Sequence, residues 1–356
     1  MNSSITVRNP ERTEFNFEKI NLVSNYNIIL HCVYDLVNHF EELDFLATCT
    51  EKDLVILWHP VEMGVWESAW MNQLSQIVAD AKFKLIYLTG CSNQLNINKF
   101  LPYSFDLRFF PVFDVRSQDL FDRKKAWARP VMVDKNNKFL FLNSKDIPHR
   151  RHILGALIKN NLLNQCIISY RCSEGLLDIE TNFNLVTGFT EEQLVLANEY
   201  ARLAFTKLPI TIDNHTVSAK LPRSMYLDSY LNIVGETSFI NVPHSFNMSF
   251  VTEKTYNAIA NNQMFIIVGH AGSLSLLKSL GYKTFGGIID ESYDTIKNNG
   301  QRLEAVTNEI IRFISRPIEE IKYDYNQVVD IIEHNRDLLY SQKLQTRLQN
   351  LIDEYK

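Results

Sequence analysis

The stretch FVTEKTYNAIANNQMFIIVG, residues 250–269, sets Thr252, Glu253 and Lys254 at the start of a helix that leads into an apolar strand. Peptide N–H groups at a helix start are unpaired and positive, which suits Glu253 and does not suit Lys254. An anion visiting this end would explain the lysine. Thr252 would then cap the helix, Glu253 accept from a pair of ribose hydroxyls and Lys254 reach a phosphate. Read alone, the same residues also make an ordinary capped surface helix. A second basic group stands in NSKDIPHRRH, where Lys145, His149, Arg150, Arg151 and His152 lie between a strand and the next helix. Free N–H groups and guanidinium forks both favour phosphate in such a place. The plainer reading is a solvated basic loop. Carboxylates gather in two further places. WHPVEMGVWESAW, residues 58–70, carries His59, Glu62 and Glu67 after a strand, and Asp114 follows another. DESYD, residues 290–294, has three carboxylates, which could offer oxygen ligands to a hard cation. A helix start capped by Asp290 or Ser292 is the stronger reading, so no metal is expected.

These groups need elements to position them. NYNIILH, DLVILWHP, FKLIYLTG and FDLRFFPVFDV read as strands, and apolar spacing predicts a helix over residues 70–81. The polar, basic segment 116–130 is the best domain boundary. Beyond it a second series begins, with strands KFLFLNS, QCIISY, SYLNIVGE and MFIIVG. Ile153, Leu154, Leu157, Ile158, Leu162 and Leu163 outline a helix between the first two of these. In SLSLLKSLGYKTF, Ser273 is the expected cap and Gly281 the helix-ending glycine. Residues 301–356 are helical by pattern. Alternating strands and helices predict α/β architecture with parallel sheets. The expected domains are residues 1–130, residues 131–330 and a C-terminal helix over 331–356.

Composition bounds the possibilities. A chain of 356 residues exceeds what one core usually grows to, and its 46% hydrophobic and 22% charged residues are those of a globular protein. The net charge of −5 argues against an overall nucleic-acid footprint, although residues 116–129 and 145–151 are locally basic. Five cysteines form no C-x-x-C pair, which points to free thiols. Neither a signal peptide nor a membrane-spanning run is legible, so a cytoplasmic protein is expected.

The segment 231–269, LNIVGETSFINVPHSFNMSFVTEKTYNAIANNQMFIIVG, resembles the donor-binding region of the α-1,3-fucosyltransferases and their viral and bacterial relatives. FLFLNSKDIPHRRHILGAL resembles their companion region, and together the likeness spans residues 138–294. It implies the GT-B fold, two Rossmann-like domains facing a cleft with a C-terminal helical tail. It also implies a glycosyltransferase moving a sugar from a nucleotide-sugar donor to an acceptor hydroxyl. By the same likeness Arg150 would contact the diphosphate, Glu253 the ribose and Lys254 a phosphate oxygen, while Glu236 would hold the place of a donor-site glutamate. Thr237 stands where the family has Asn, and Phe250 where it often has Tyr. Glu62 is the closest match to the family's catalytic base, with Glu67, Asp114 and His59 as rivals. Such an enzyme would be inverting, metal-independent and without a cofactor, its acceptor a glycan or modified nucleic acid. The alternatives are a catalytically silent nucleotide- or sugar-binding protein and a DNA-modifying sugar transferase.

Overall fold

Runs of branched and aromatic residues alternate with helix-forming segments, and in the computed structural model those runs form two separate parallel sheets. The structure describes residues 5–8, 21–32, 40–59, 68–89, 105–110, 134–170, 188–207, 223–240, 249, 251–341 and 344–355. The chain divides into two units: unit 1 is Met1–Arg123 with Tyr340–Lys356, and unit 2 is Lys124–Leu339.

In unit 1, strands β1 (Ile5–Arg8), β2 (Asn27–Cys32), β3 (Asp53–His59), β4 (Lys84–Thr89) and β5 (Asp106–Phe109) lie side by side in sequence order. Every neighbouring pair is parallel. A 3-10 helix (Phe40–Thr48) precedes β3, and helix α1 (Ser68–Ile77) joins β3 to β4. The first strand, only four residues long and flanked by polar residues, has too short a pattern to stand out in the sequence.

Unit 2 runs β6 (Asn137–Asn143), α2 (Pro148–Lys159), β7 (Cys166–Tyr170), α3 (Glu191–Phe205), α4 (Arg223–Leu227), β8 (Ser229–Gly235), α5 (Glu253–Ala260), β9 (Met264–Val268) and α6 (Ser273–Ser279). A 3-10 helix (Glu291–Thr295) follows, then α7 (Asn299–Ile314), α8 (Ile318–Gln327) and α9 (Val329–Ser341), after which α10 (Leu344–Asp353) belongs to unit 1. The sheet order is β7-β6-β8-β9. All residues of β8 and β9 are buried, as continuous apolar strands covered on both faces should be. Helix α2 lies against α3 so closely that a Cβ on Gly155 would stand 1.9 Å from the carbonyl oxygen of Tyr200.

Two helix-end expectations meet different fates. Gly281 takes φ +90°, and the bonds Gly281 N–H to Lys278 O and Tyr282 N–H to Leu277 O close α6 as expected of a helix-ending glycine. Ser273 is not the cap. Gly272 occupies that position at φ +82°, and the carboxylate of Asp294 accepts from Leu274 N–H (2.9 Å) and Ser275 N–H (3.1 Å) in place of a local side chain.

The C-terminal helix answers a problem set by unit 1. Right-handed crossovers between strands laid down in one direction place their connections on one face of the sheet. On that face His31 meets Phe45 of the first 3-10 helix, ring centroids 5.1 Å apart. The opposite face, with Ile28, Leu30, Cys32, Leu54, Ile56 and Trp58, is closed by Leu348, Leu351 and Ile352 of α10. Gln349 fastens it by accepting from Val23 N–H and donating to Val23 O. None of the described helices is long and apolar enough to cross a membrane.

Candidate functional site

Strand order in unit 2 reverses at β6: the chain steps from β6 outward to β7, then returns to β8 on the other side. Connections leaving two such strands part to opposite faces and leave a crevice at the carboxyl ends, where α/β sheets take their ligands. Asn143 ends β6 at this crevice, and Gly235 ends β8. Asn143 is only 3% exposed, yet neither its Oδ1 nor its Nδ2 has a hydrogen-bond partner among the described residues. Gly235 must lack a side chain, because a Cβ there would fall 2.8 Å from Asn143 Oδ1 and 2.9 Å from Arg150 Cγ.

The basic run beside it is not a loop. Helix α2 begins at Pro148, whose missing N–H costs nothing in a first turn, so His149, Arg150, Arg151 and His152 are helical and all buried. Arg150 donates through Nε to Gly235 O (3.1 Å), through Nη1 to Lys145 O (3.2 Å) and through Nη2 to Glu236 O (3.0 Å). It straps the end of β8 to the segment after β6, and the 2% of it that is exposed leaves little of the fork for a ligand. His149 Nε2–H donates to the same Glu236 carbonyl at 2.9 Å, and its ring stacks on Phe239. Burial, then the Arg150 charge, holds its pKa down to about 3, so this ring is neutral near pH 7. Arg151 faces elsewhere, in a buried pair with Asp146 that also accepts from Tyr170 Oη.

Glu236, fully buried, does structural duty. Its Oε1 accepts from Thr252 N–H (3.0 Å) and Thr255 Oγ1 (2.7 Å), and its Oε2 from Thr252 Oγ1 (2.6 Å). A carboxylate held against the first turn of α5 complements the positive helix end. Thr252 is the cap, as expected, its Oγ1 accepting from Lys254 N–H. Lys254 Nζ donates to Thr237 Oγ1 (3.0 Å), Thr252 Oγ1 (3.1 Å) and Glu253 Oε1 (2.9 Å). The lysine in this first turn therefore has two acidic neighbours to offset, Glu236 behind it and Glu253 beside it. The Glu253 and Lys254 side chains remain 22% and 21% exposed, although Oε2 of Glu253 is itself buried.

Two groups at this edge escaped the sequence reading. Ser238 Oγ, just after β8, lies 2.8 Å from Nε2 of His270, just after β9. Arg302 on α7 donates to Gly269 O and Phe239 O, with burial lowering its pKa to about 10. The signal for the first pair was polar residues directly following buried strands. For Arg302, buried by contacts more than thirty residues away in sequence, there was none.

The carboxylates of DESYD are each engaged within the fold. Asp290 caps the 3-10 helix through Ser292 N–H, Glu291 accepts from Phe285 N–H and Thr284 Oγ1, and Asp294 caps α6. Among the described residues no group of three or more His, Cys, Asp or Glu is placed to hold a metal ion. Glu62, Glu67, Asp114 and Phe250 lie outside the described residues, as does the basic segment 116–130.

No protein-family model matches this chain, and no curated protein matches it. Among solved structures it is similar to the N-terminal domain of trehalose-6-phosphate phosphatase from Candida albicans, at 11% identity. The match covers 93% of this chain and 70% of that one, with a TM-score of 0.45. The expectation of a nucleotide-sugar glycosyltransferase is corrected on these findings: no family model and no curated protein supports it, and the similar solved structure is a domain of a phosphatase.

Proposed function

We propose that unit 2 binds a phosphorylated small molecule of nucleoside diphosphate type at the carboxyl ends of β6 and β8. One observation carries the reading: the buried amide of Asn143, packed against Gly235 and without a hydrogen-bond partner among the described residues, stands at the point of strand-order reversal. Leaving such groups unmet costs about 1–3 kcal/mol each, a cost that a bound ligand removes. Its Nδ2 is a donor suited to a phosphate oxygen. Lys254, on a partly exposed side chain, adds a positive charge that a phosphate could share with Glu253, Thr237 and Thr252, and Glu253 adds a carboxylate beside it. Arg150 contributes through the positive field at the strand ends rather than as an open fork. The nucleotide character is supported by the resemblance of residues 231–269 to a nucleotide-sugar donor region. The succession of two parallel sheets in one chain fits the two-domain GT-B arrangement. The proposal is of binding, not of sugar transfer.

Calorimetric titration with a nucleoside, its monophosphate and its diphosphate tests it. Affinity should rise with phosphate number in the natural chain, and that rise should shrink in Lys254→Met. Equal affinity across the series, or no binding, would overturn the proposal.

A further inference from the structure

We propose that unit 2 carries a second ligand site, a groove between α3 and α7 that takes a small organic cation with an aromatic or aliphatic body. A cavity of about 360 Å³ opens there, within the range of about 300–1,000 Å³ typical of small-molecule sites. Its walls are Leu196 and Tyr200 on α3 and Leu303 on α7, and His152 of α2 also lines it. Burial alone lowers the pKa of His152 to about 3, so it adds no positive charge.

Charge complementarity selects the occupant. Glu192 and Glu304 both line the groove, and none of the described residues lining it is a lysine or an arginine. Glu304 is held in place across the groove: Gln193 Nε2 on α3 donates to its Oε2 at 2.9 Å, while Gln193 Oε1 accepts from Thr190 N–H. Lys159, which lies 5.6 Å from the Tyr200 ring centroid, is paired with Glu199. An ammonium group at the carboxylates with its hydrocarbon body against Leu196, Tyr200 and Leu303 would satisfy both halves of the lining. The spacing of the helices is fixed by the fold and not by a ligand. The close approach of Gly155 to Tyr200 O pins α3 to α2, and Gly300 N–H donates to Gly188 O where α7 begins. The groove uses none of the strand-end residues, so the inference stands apart from the reading of that site.

The test is calorimetry on the full chain with phenethylammonium, 2-phenylethanol and phenylacetate as probes. The cation should saturate one site and bind at least about tenfold more tightly than the neutral alcohol, with the anion weakest. Glu304→Gln should erode that preference several-fold, and Asn143→Leu should leave it unchanged. Leu196→Trp, which fills the groove, should abolish cation binding while the circular dichroism spectrum stays native. Equal binding of the three probes, no saturable binding of the cation, or full cation affinity in a folded Leu196→Trp chain would each overturn the inference.

Discussion

Replacing Asn143 by Leu keeps the number of side-chain heavy atoms and removes the two polar atoms that have no hydrogen-bond partner among the described residues. Were the amide there for stability, its loss would weaken the protein. The geometry says otherwise. Each unmet buried polar atom costs about 1–3 kcal/mol, and an apolar replacement recovers it. The tight contact with Gly235 works against this, since forcing larger groups into a packed site costs about 1–3 kcal/mol. The net expectation is a gain of about 1–3 kcal/mol, or a rise of about 2–12 °C in the Tm of unit 2. Binding of a nucleoside diphosphate should fall at least about tenfold in the same variant, the loss of one charge-assisted hydrogen bond. Differential scanning calorimetry reads the first effect and titration calorimetry the second. Asn143→Ala, which cannot overpack, separates crowding from chemistry and should lose binding equally. A Leu variant that is less stable while binding as before would refute the reasoning, because Asn143 would then be a structural residue.

Other perturbations probe the elements that hold this edge. Glu236→Gln keeps the shape but replaces one acceptor oxygen with a donor against three existing donors, and should cost about 1.5–3 kcal/mol in chemical denaturation. Gly155→Ala should destabilise more than an ordinary helical Gly→Ala change stabilises, because the added methyl meets a backbone oxygen that cannot move alone; an unchanged denaturation midpoint would argue against the packing. Removing residues 344–356 strips Leu348, Leu351 and Ile352 from the unit 1 sheet, with an expected loss of up to about 5–9 kcal/mol, seen as unfolding of that unit while unit 2 persists. His149 and His152 are neutral in the fold, with pKa values lowered from 6.5 to about 3. The unfolded chain therefore binds more protons between these limits, so their contribution is complete above pH 6.5 and is lost as pH falls toward 3. Each should add up to about 1.4 kcal/mol per pH unit to the slope of stability against pH in that window, and replacing His152 by Phe should remove its share.

The sequence revealed the strands of unit 2 because β8 and β9 are apolar on both faces, a pattern that survives without tertiary information. It also revealed Thr252 and Gly281, whose roles are local: a cap bonds within its own turn, and a left-handed stop needs only its own backbone. Where partners come from afar, the sequence was silent or misleading. Asp294 caps a helix twenty residues upstream, and the four residues HRRH look solvated until the carbonyls at the end of β8 and the Asp146 carboxylate surround them. The closing of the unit 1 sheet by α10 was illegible for the same reason. Its amphipathic pattern shows a face to bury and not which sheet will bury it. The candidate site was half visible: Glu253 and Lys254 by their position, but not Asn143, whose significance lies in the lack of a partner.

Diffraction from crystals soaked with a nucleoside diphosphate tests phosphate recognition at the reversal point most directly. The expected result is phosphate density at the carboxyl ends of β6 and β8, with an oxygen within about 3 Å of Asn143 Nδ2. Density for the ligand at any other place, with Asn143 still unpaired, would contradict it.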